Sequence, residues 1–110
     1  MIAAYKHLIK WGLRHHYIID VVCSEECITE YSGKHYRSIL DAVEALDACT
    51  VYFKEDGDYK AAFSVNFFVD QPEETVSDWG INEVSIAWDL EYVEHCKRYP
   101  INRHFSRSNN

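Results

Sequence analysis

Hydrophobic and polar residues alternate along the chain in two distinct periods. Apolar residues recur at helical spacing over residues 3–16 and again over about residues 35–46, which predicts two amphipathic helices. The β-branched run 17–23 and the alternating segment 27–31 predict two strands joined by a short polar turn. The first half of the chain is therefore expected to form an α-β-β-α unit.

The second half begins with a further predicted hairpin. Residues 49–54 and 59–69 are its strands, and the Asp56-Gly57 pair between them suits the positive φ angles of a tight turn. A short helix over residues 70–79 is predicted next, because proline and acidic residues occupy its first turn. The last helix is predicted over residues 82–96.

The predicted order of elements is α-β-β-α-β-β-α-α, which defines an α+β fold. Two hairpins joined by a helix most simply give a four-stranded antiparallel sheet with helices packed on one face. A chain of 110 residues accommodates one domain. We assign that single domain to residues 1–100 and expect residues 101–110 to form a frayed basic tail.

Charge is distributed unevenly along the sequence. The formal net charge is −7, and residues 61–96 contain neither Lys nor Arg. That segment holds the carboxylates Asp70, Glu73, Glu74, Asp78, Glu83, Asp89, Glu91 and Glu94. So acidic a chain excludes broad binding to nucleic acid or to anionic lipid, since both need a basic surface. It favours encounter with a basic protein partner instead.

These carboxylates, together with Trp79 among them, are the predicted partner-binding residues. They would form a negatively charged docking surface that occupies the nucleic-acid site of a host nuclease or surveillance complex. The alternative is an acidic face whose only role is solvation, or one neutralised by the basic ends of the chain.

Aromatic residues lie within the same acidic segment. Val84, Trp88 and Tyr92 share one face of the last helix, so Trp88 is predicted to lie in the core. Trp79 suits either a core position or an interface anchor. Other faces of the segment carry the apolar residues Ile81, Ile86, Leu90 and Val93. A helix that is apolar on more than one side has more than one neighbour, which indicates a homodimer contact.

The cysteines and histidines do not form a complete ligand or catalytic motif. Cys23 and Cys27 flank a turn without a matched second pair, so no metal site is predicted. No spacing of Cys–His or carboxylate pairs forces a catalytic geometry, and the sequence has no Gly-rich phosphate loop. We expect neither an enzyme nor a cofactor. The alternative left open is a small zinc- or thiol-dependent module.

The sequence also gives an expectation for cellular location. No apolar run reaches the roughly 18 residues of a membrane span, and the first residues lack the features of a secretory signal. The chain is therefore expected in the cytoplasm, with its four cysteines present as thiols.

Several stretches of the chain resemble one protein family. They are Ser24-Glu25-Glu26 between two strands, residues 38–47 (SILDAVEALD) on a helix and residues 72–79 (PEETVSDW), with Asn82 and Trp88 in matching positions. Over residues 5–92 the chain resembles small proteins encoded by tailed phages and prophages of enterobacteria. It departs from them at residues 23–27, Cys-Ser-Glu-Glu-Cys, where the family tends to have Asp-Gly-Glu-Glu-Trp. The resemblance implies a phage accessory protein inside a bacterial host, and it carries over no functional residue.

These observations lead to one functional hypothesis and one main rival. The hypothesis is a phage-encoded inhibitor of a host defence or nucleic-acid-handling factor, of the anti-CRISPR or anti-restriction type, whose acidic surface imitates nucleic acid. Its partner would be a host protein with a basic nucleic-acid-binding surface, met in the bacterial cytoplasm. It would contact neither nucleic acid nor membrane directly. The rival is a homodimeric accessory protein that interacts through an apolar surface around its C-terminal helices.

Overall fold

The computed structural model describes residues 2–99, in which three helices and five strands follow one another. The elements in chain order are α1 (Ala4–Arg14), β1 (Ile18–Cys23), β2 (Thr29–Gly33), α2 (Tyr36–Glu44), β3 (Ala48–Glu55), β4 (Asp58–Asn66), β5 (Val76–Trp79) and α3 (Glu83–Arg98). A short 3-10 turn, Pro72–Glu74, precedes β5. The α+β class predicted from the sequence is confirmed.

The five strands form one antiparallel sheet in the order β2-β1-β3-β4-β5. β3 lies at the centre, where Val51 is opposite Val21 on one side and Phe63 on the other. The β3–β4 turn forms as predicted, with positive φ angles of 53° at Asp56 and 84° at Gly57. The central strand β3 therefore pairs with β1, which is distant in sequence, and with β4, which follows it directly in the chain.

The predicted helix over residues 70–79 and the predicted strand number of four are wrong. Proline and acids do start a helical turn at Pro72–Glu74, but it ends there and the chain enters β5. Val76 pairs with Val65 and Trp79 with Phe63 at the edge of the sheet. Burial of Val76, which is 5% exposed, outweighs the local helix signal. The order is α-β-β-α-β-β-β-α.

All three helices pack against one face of the sheet, and the core lies between the two layers. Alternate strand residues point into it: Ile19, Val21, Cys49, Val51, Phe53, Ala61, Phe63, Val65 and Val76. At Gly12 the backbone of α1 lies directly on the Phe53 ring, because a Cβ there would be only 2.6 Å from Phe53 Cζ. Glycine permits this close helix–sheet contact.

The last helix begins where the sequence predicts and extends two residues further. Asn82 caps it, with its side chain accepting from the Ser85 amide at 2.9 Å while the Ser85 hydroxyl accepts from the Asn82 amide at 3.1 Å. None of the helices within residues 2–99 is long and apolar enough to cross a membrane. The predicted tail, residues 101–110, lies outside the described residues.

Candidate protein-binding surface

Three connections between elements meet at one end of the sheet. β1 ends where β3 begins, and β4 ends beside that point, because neighbouring strands run in opposite directions. The β1–β2, α2–β3 and β4–β5 connections therefore lie side by side, although they are far apart in sequence. The Phe67 amide donates a hydrogen bond to the Asp47 carbonyl at 3.0 Å, which joins the last two of them.

The β1–β2 turn has a backbone fixed by its own hydrogen bonds. The Cys27 amide donates to the Cys23 carbonyl at 2.9 Å, and the Cys23 amide donates to the Ile28 carbonyl at 2.9 Å. Cys27 has a φ of 56°, a left-handed conformation that costs a non-glycine residue roughly 1–2 kcal/mol. The turn presents the exposed side chains of Glu25 and Glu26 in a defined position.

Carboxylates concentrate at these connections. We call the group the acidic end: Glu25, Glu26, Glu44, Asp47, Asp70, Glu73 and Glu74. Neither Lys nor Arg occurs in residues 23–29, 44–48 or 66–75. The C-terminus of α2 also points here and adds the partial negative charge of the helix dipole. A helix C-terminus is normally stabilised by cations, so acidic residues at this position oppose local stability.

Tyr5 holds the acidic end together from α1. Its hydroxyl donates to Glu44 Oε2 at 2.5 Å, and its amide donates to Thr75 Oγ1 at 3.1 Å. Its ring meets the Phe67 ring edge-on, with 4.9 Å between centroids. Burial, followed by the hydrogen bond to Glu44 and its charge, raises the pKa of Tyr5, so the hydroxyl keeps its proton and remains a donor.

Exposed apolar groups accompany these charges. Phe68 is 75% exposed and Ile28 is 53% exposed. The Phe68 amide donates to Asn66 Oδ1 at 2.7 Å, which fixes the backbone that carries the ring. A cleft of about 320 Å³ lies between the β1–β2 turn and the α2–β3 connection. It is lined by Cys23, Glu25, Glu26, Ala45, Leu46 and Asp47. Exposed apolar groups ringed by charge are a frequent composition of protein-interaction sites.

The residues predicted to bind a partner are divided between different surfaces. Asp70, Glu73 and Glu74 belong to the acidic end, where Glu73 is half-buried and its charge contributes to the raised pKa of Tyr92. Asp78 pairs with Ser64 and lies on the sheet face opposite the helices. The other four are spread along α3: Glu83, Asp89, Glu91 and Glu94.

Two of the α3 carboxylates are occupied by contacts within the chain. Glu91 Oε2 accepts the indole N–H of Trp11 at 2.6 Å, and its other oxygen lies 3.9 Å from an Arg14 nitrogen. Glu94 lies 3.4 Å from Lys97 Nζ. Both ion pairs are largely exposed, so each is worth about 1 kcal/mol or less. At these two positions the chain's own cations reduce the negative field.

The tryptophans in the acidic segment lie within the molecule rather than on an open surface. Trp88 is 1% exposed, which confirms its predicted core position, and it stacks on Tyr92 with 5.5 Å between centroids. Trp79 meets the Trp88 ring edge-on at 5.5 Å and is half-buried. Trp79 is therefore a peripheral member of the core.

The cysteines differ in how deeply they are buried. Cys23 and Cys49 are opposite each other on β1 and β3 and both are buried, whereas Cys27 is exposed. Burial, with a smaller effect of Cys23, raises the pKa of Cys49 to about 12, so its thiol stays protonated and unreactive at neutral pH. Among the residues that the structure describes, no three His, Cys, Asp or Glu side chains converge as metal ligands.

A groove of about 440 Å³ separates α1 from α3. It is lined by Leu90 and by six charged or imidazole side chains: His7, Arg14, Glu91, Glu94, His95 and Arg98. His7 is 9% exposed, and its Nδ1 accepts the indole N–H of Trp88 at 3.1 Å, so its remaining proton is on Nε2. The groove carries both signs of charge and is distinct from the acidic end.

Asp20 forms a polar network on the sheet face opposite the helices, which the sequence analysis missed. Its carboxylate accepts from the Ser32 hydroxyl at 2.6 Å, from the Tyr59 hydroxyl at 3.0 Å and from Lys54 Nζ at 3.3 Å. Asp20 is only 3% exposed. Its burial raises the pKa, but the three hydrogen bonds and the Lys54 charge outweigh that effect and lower it.

Sequence reasoning also missed the four acidic residues that adjacent connections bring to the acidic end: Glu25, Glu26, Glu44 and Asp47. Their position depends on which strands pair, and no local pattern shows that. The pairs Glu25-Glu26 and Glu44-Asp47 next to predicted strand ends were the available signal. Comparisons with known proteins add no site, because no protein-family model matches the chain and neither does any curated protein or solved structure.

Proposed function

We propose that the protein acts by binding another protein through the acidic end. The observation that carries this proposal is the presence of seven carboxylates in or next to three adjacent connections, in segments where neither Lys nor Arg occurs. Exposed Phe68 and Ile28 within the same connections supply apolar contact area beside the charge. A partner that fits has a basic surface with an apolar patch.

A basic surface of this kind is typical of proteins that bind nucleic acid, because they neutralise phosphates with Lys and Arg. The acidic end would compete with nucleic acid for that surface, and its field would raise the rate of encounter. The resemblance of residues 5–92 to phage and prophage proteins supports a partner in the bacterial host. The proposed function is therefore inhibition of a host defence or nucleic-acid-handling factor, of the anti-CRISPR or anti-restriction type.

Local stability supplies a second argument for the acidic end. Acidic residues near the C-terminus of α2 and the left-handed backbone of Cys27 both reduce local stability. Features that break local rules in an otherwise consistent fold concentrate at functional surfaces. Glu44 and Cys27 both lie at the acidic end.

The test compares two variants with equal net charge. Glu26→Lys with Glu74→Lys reverses two exposed carboxylates of the acidic end, and Glu30→Lys with Glu55→Lys reverses two exposed carboxylates elsewhere. Each pair of reversals adds four charges, so −7 becomes −3 in both variants. Tagged wild type and both variants are used to capture proteins from bacterial host lysate at low and moderate salt.

We expect wild type and the Glu30/Glu55 variant to retain the same basic, nucleic-acid-handling protein. The Glu26/Glu74 variant should lose it, and added double-stranded DNA or higher salt should release it. Equal capture by both variants would show that the acidic end is not the binding surface. Capture that DNA does not displace would exclude imitation of nucleic acid.

A further inference from the structure

The outward face of α3 is apolar in its middle and charged at its two ends. Residues spaced three and four apart along this face are all exposed: Glu83, Ile86, Ala87, Leu90, Val93, Glu94 and Lys97. Leu90 is 63% exposed, Ile86 46% and Val93 42%. This is the repeat with which paired helices contact each other, and in a helix of 16 residues it covers the whole length.

The inward face of the same helix is already fully occupied. Ser85, Trp88 and Tyr92 are buried against α1 and β4, and the Trp88 indole is hydrogen-bonded to His7. The outward stripe is therefore not needed to attach α3 to its own sheet. A surface helix normally has a polar outer face, so three large apolar residues there indicate a second neighbour.

We propose that this stripe packs against the same stripe of a second copy of the chain, with the two α3 helices antiparallel. Charge identifies the occupant and its direction. Glu83 and Lys97 each lie seven residues from Leu90, which is about 10 Å along the helix. In an antiparallel pair that crosses at Leu90, Glu83 of each copy faces Lys97 of the other. A parallel pair would oppose like charges and like helix dipoles.

The pairing has two-fold symmetry: if residue i of one copy contacts residue j of the other, residue j of the first copy also contacts residue i of the second. The C-terminus of α3 lies near the start of α1, where the His95 ring accepts the Ile2 amide at 3.3 Å, and α1 starts beside the acidic end. Antiparallel helices therefore direct the two acidic ends to opposite sides of the dimer. Self-association and partner binding use separate surfaces.

The experiment is sedimentation equilibrium on the full chain from low micromolar to high concentration. Wild type should sediment as a monomer–dimer mixture that shifts with concentration. Leu90→Glu should raise the dimer dissociation constant about a hundredfold, because Leu90 occurs twice at the crossing point. Ser77→Glu introduces the same charge at an exposed position of β5, away from α3, and should leave the dimer unchanged.

Charge exchange tests the direction of the helices. Glu83→Lys alone and Lys97→Glu alone should each weaken the dimer, and the double variant Glu83→Lys with Lys97→Glu should regain most of the wild-type affinity. A monomer at every concentration, or a dimer that survives Leu90→Glu, would overturn the proposal. A double variant no tighter than the single variants would overturn the antiparallel arrangement. None of these changes alters the acidic end, so the two proposals fail independently.

Discussion

The indole N–H of Trp88 donates a hydrogen bond to Nδ1 of His7 over 3.1 Å, in the buried contact between α3 and α1. The same His7 ring lies 5.1 Å from the Tyr92 ring and 4.9 Å from the His95 ring, centroid to centroid. Burial, followed by repulsion from His95 and Arg14, lowers the pKa of His7 to about 4. The acceptor role of Nδ1 requires the neutral ring, so protonation would break the contact.

The first prediction is that His7 makes stability fall with pH below neutrality. Its pKa is about 4 in the folded chain and 6.5 in the unfolded chain, so the unfolded chain binds the extra proton first. Stability should be complete above pH 6.5 and decrease by up to about 3 kcal/mol as pH falls to 4. The measurement is urea unfolding at several pH values between 7.5 and 4.

His7→Asn is the matched variant for this prediction. Its amide oxygen can accept from the Trp88 indole but does not titrate in this range. The carboxylates contribute equally to both proteins, so the difference between wild type and variant isolates the imidazole. The free energy of unfolding of wild type should therefore fall relative to that of His7→Asn as the pH decreases from 6.5 to 4. If the free energies of unfolding of the two proteins differed by the same amount at every pH, His7 would not be the source of the pH dependence.

The second prediction concerns the contact between α1 and the centre of the sheet. Gly12→Ala places a Cβ 2.6–2.7 Å from ring atoms of Phe53, which is fully buried and packed against the Trp11 and Tyr17 rings. We expect a loss of about 1–3 kcal/mol in the free energy of unfolding, although alanine favours helix more than glycine does. Urea unfolding measures it.

Gly80→Ala is the control for that change. A Cβ at Gly80 meets nothing within 4 Å among the described residues, so the substitution should alter stability by less than about 0.5 kcal/mol. If Gly12→Ala were as stable as wild type, α1 could shift away from β3, and the close contact would not be required by the fold.

The third prediction concerns the buried carboxylate on the open sheet face. Asp20→Ala removes the acceptor shared by Ser32, Tyr59 and Lys54, and should destabilise the chain by about 3 kcal/mol. Because the pKa of Asp20 is lowered on folding, its stabilisation is present above the unfolded pKa and is lost as pH falls below it. Urea unfolding at neutral and acidic pH measures both effects.

Asp41→Ala is the comparison for Asp20. Asp41 lies 4.0 Å from Arg37 in an exposed pair on α2, and its loss should cost less than about 0.5 kcal/mol. Equal costs for the two substitutions would mean that the Asp20 network adds nothing beyond an ordinary surface ion pair.

Most of the fold could be predicted because the elements are long enough to show their own period. The stripe on α2 and the Asp56-Gly57 turn are fixed by neighbours in sequence, so pattern alone located them within a few residues. β5 could not be located in this way. It has only four residues, which is about one helical turn or two strand alternations, too few to distinguish the two periods. Its burial comes from β4 and Trp88.

The acidic segment was visible from composition, but its geometry was not. Composition groups Glu91 with Asp70 because both lie in residues 61–96, which contain neither Lys nor Arg, whereas the structure directs Glu91 to Trp11 and Arg14 on α1. Conversely, Glu26 and Asp47 lie 21 positions apart in sequence and line the same cleft. Only the pairing of β1 with β3 brings them together, and strand pairing depends on long-range contacts.

The acidic end is a discontinuous epitope, since the β4–β5 connection carries three of its seven carboxylates, the β1–β2 turn carries two, and Glu44 and Asp47 lie at and just after the end of α2. A synthetic peptide copied from any one connection would therefore hold less than half of its charge. The binding surface exists only while β1, β3 and β4 are paired. Any substitution that loosens these strands, however far from the acidic end, should weaken recognition in proportion to the fraction of unfolded chains.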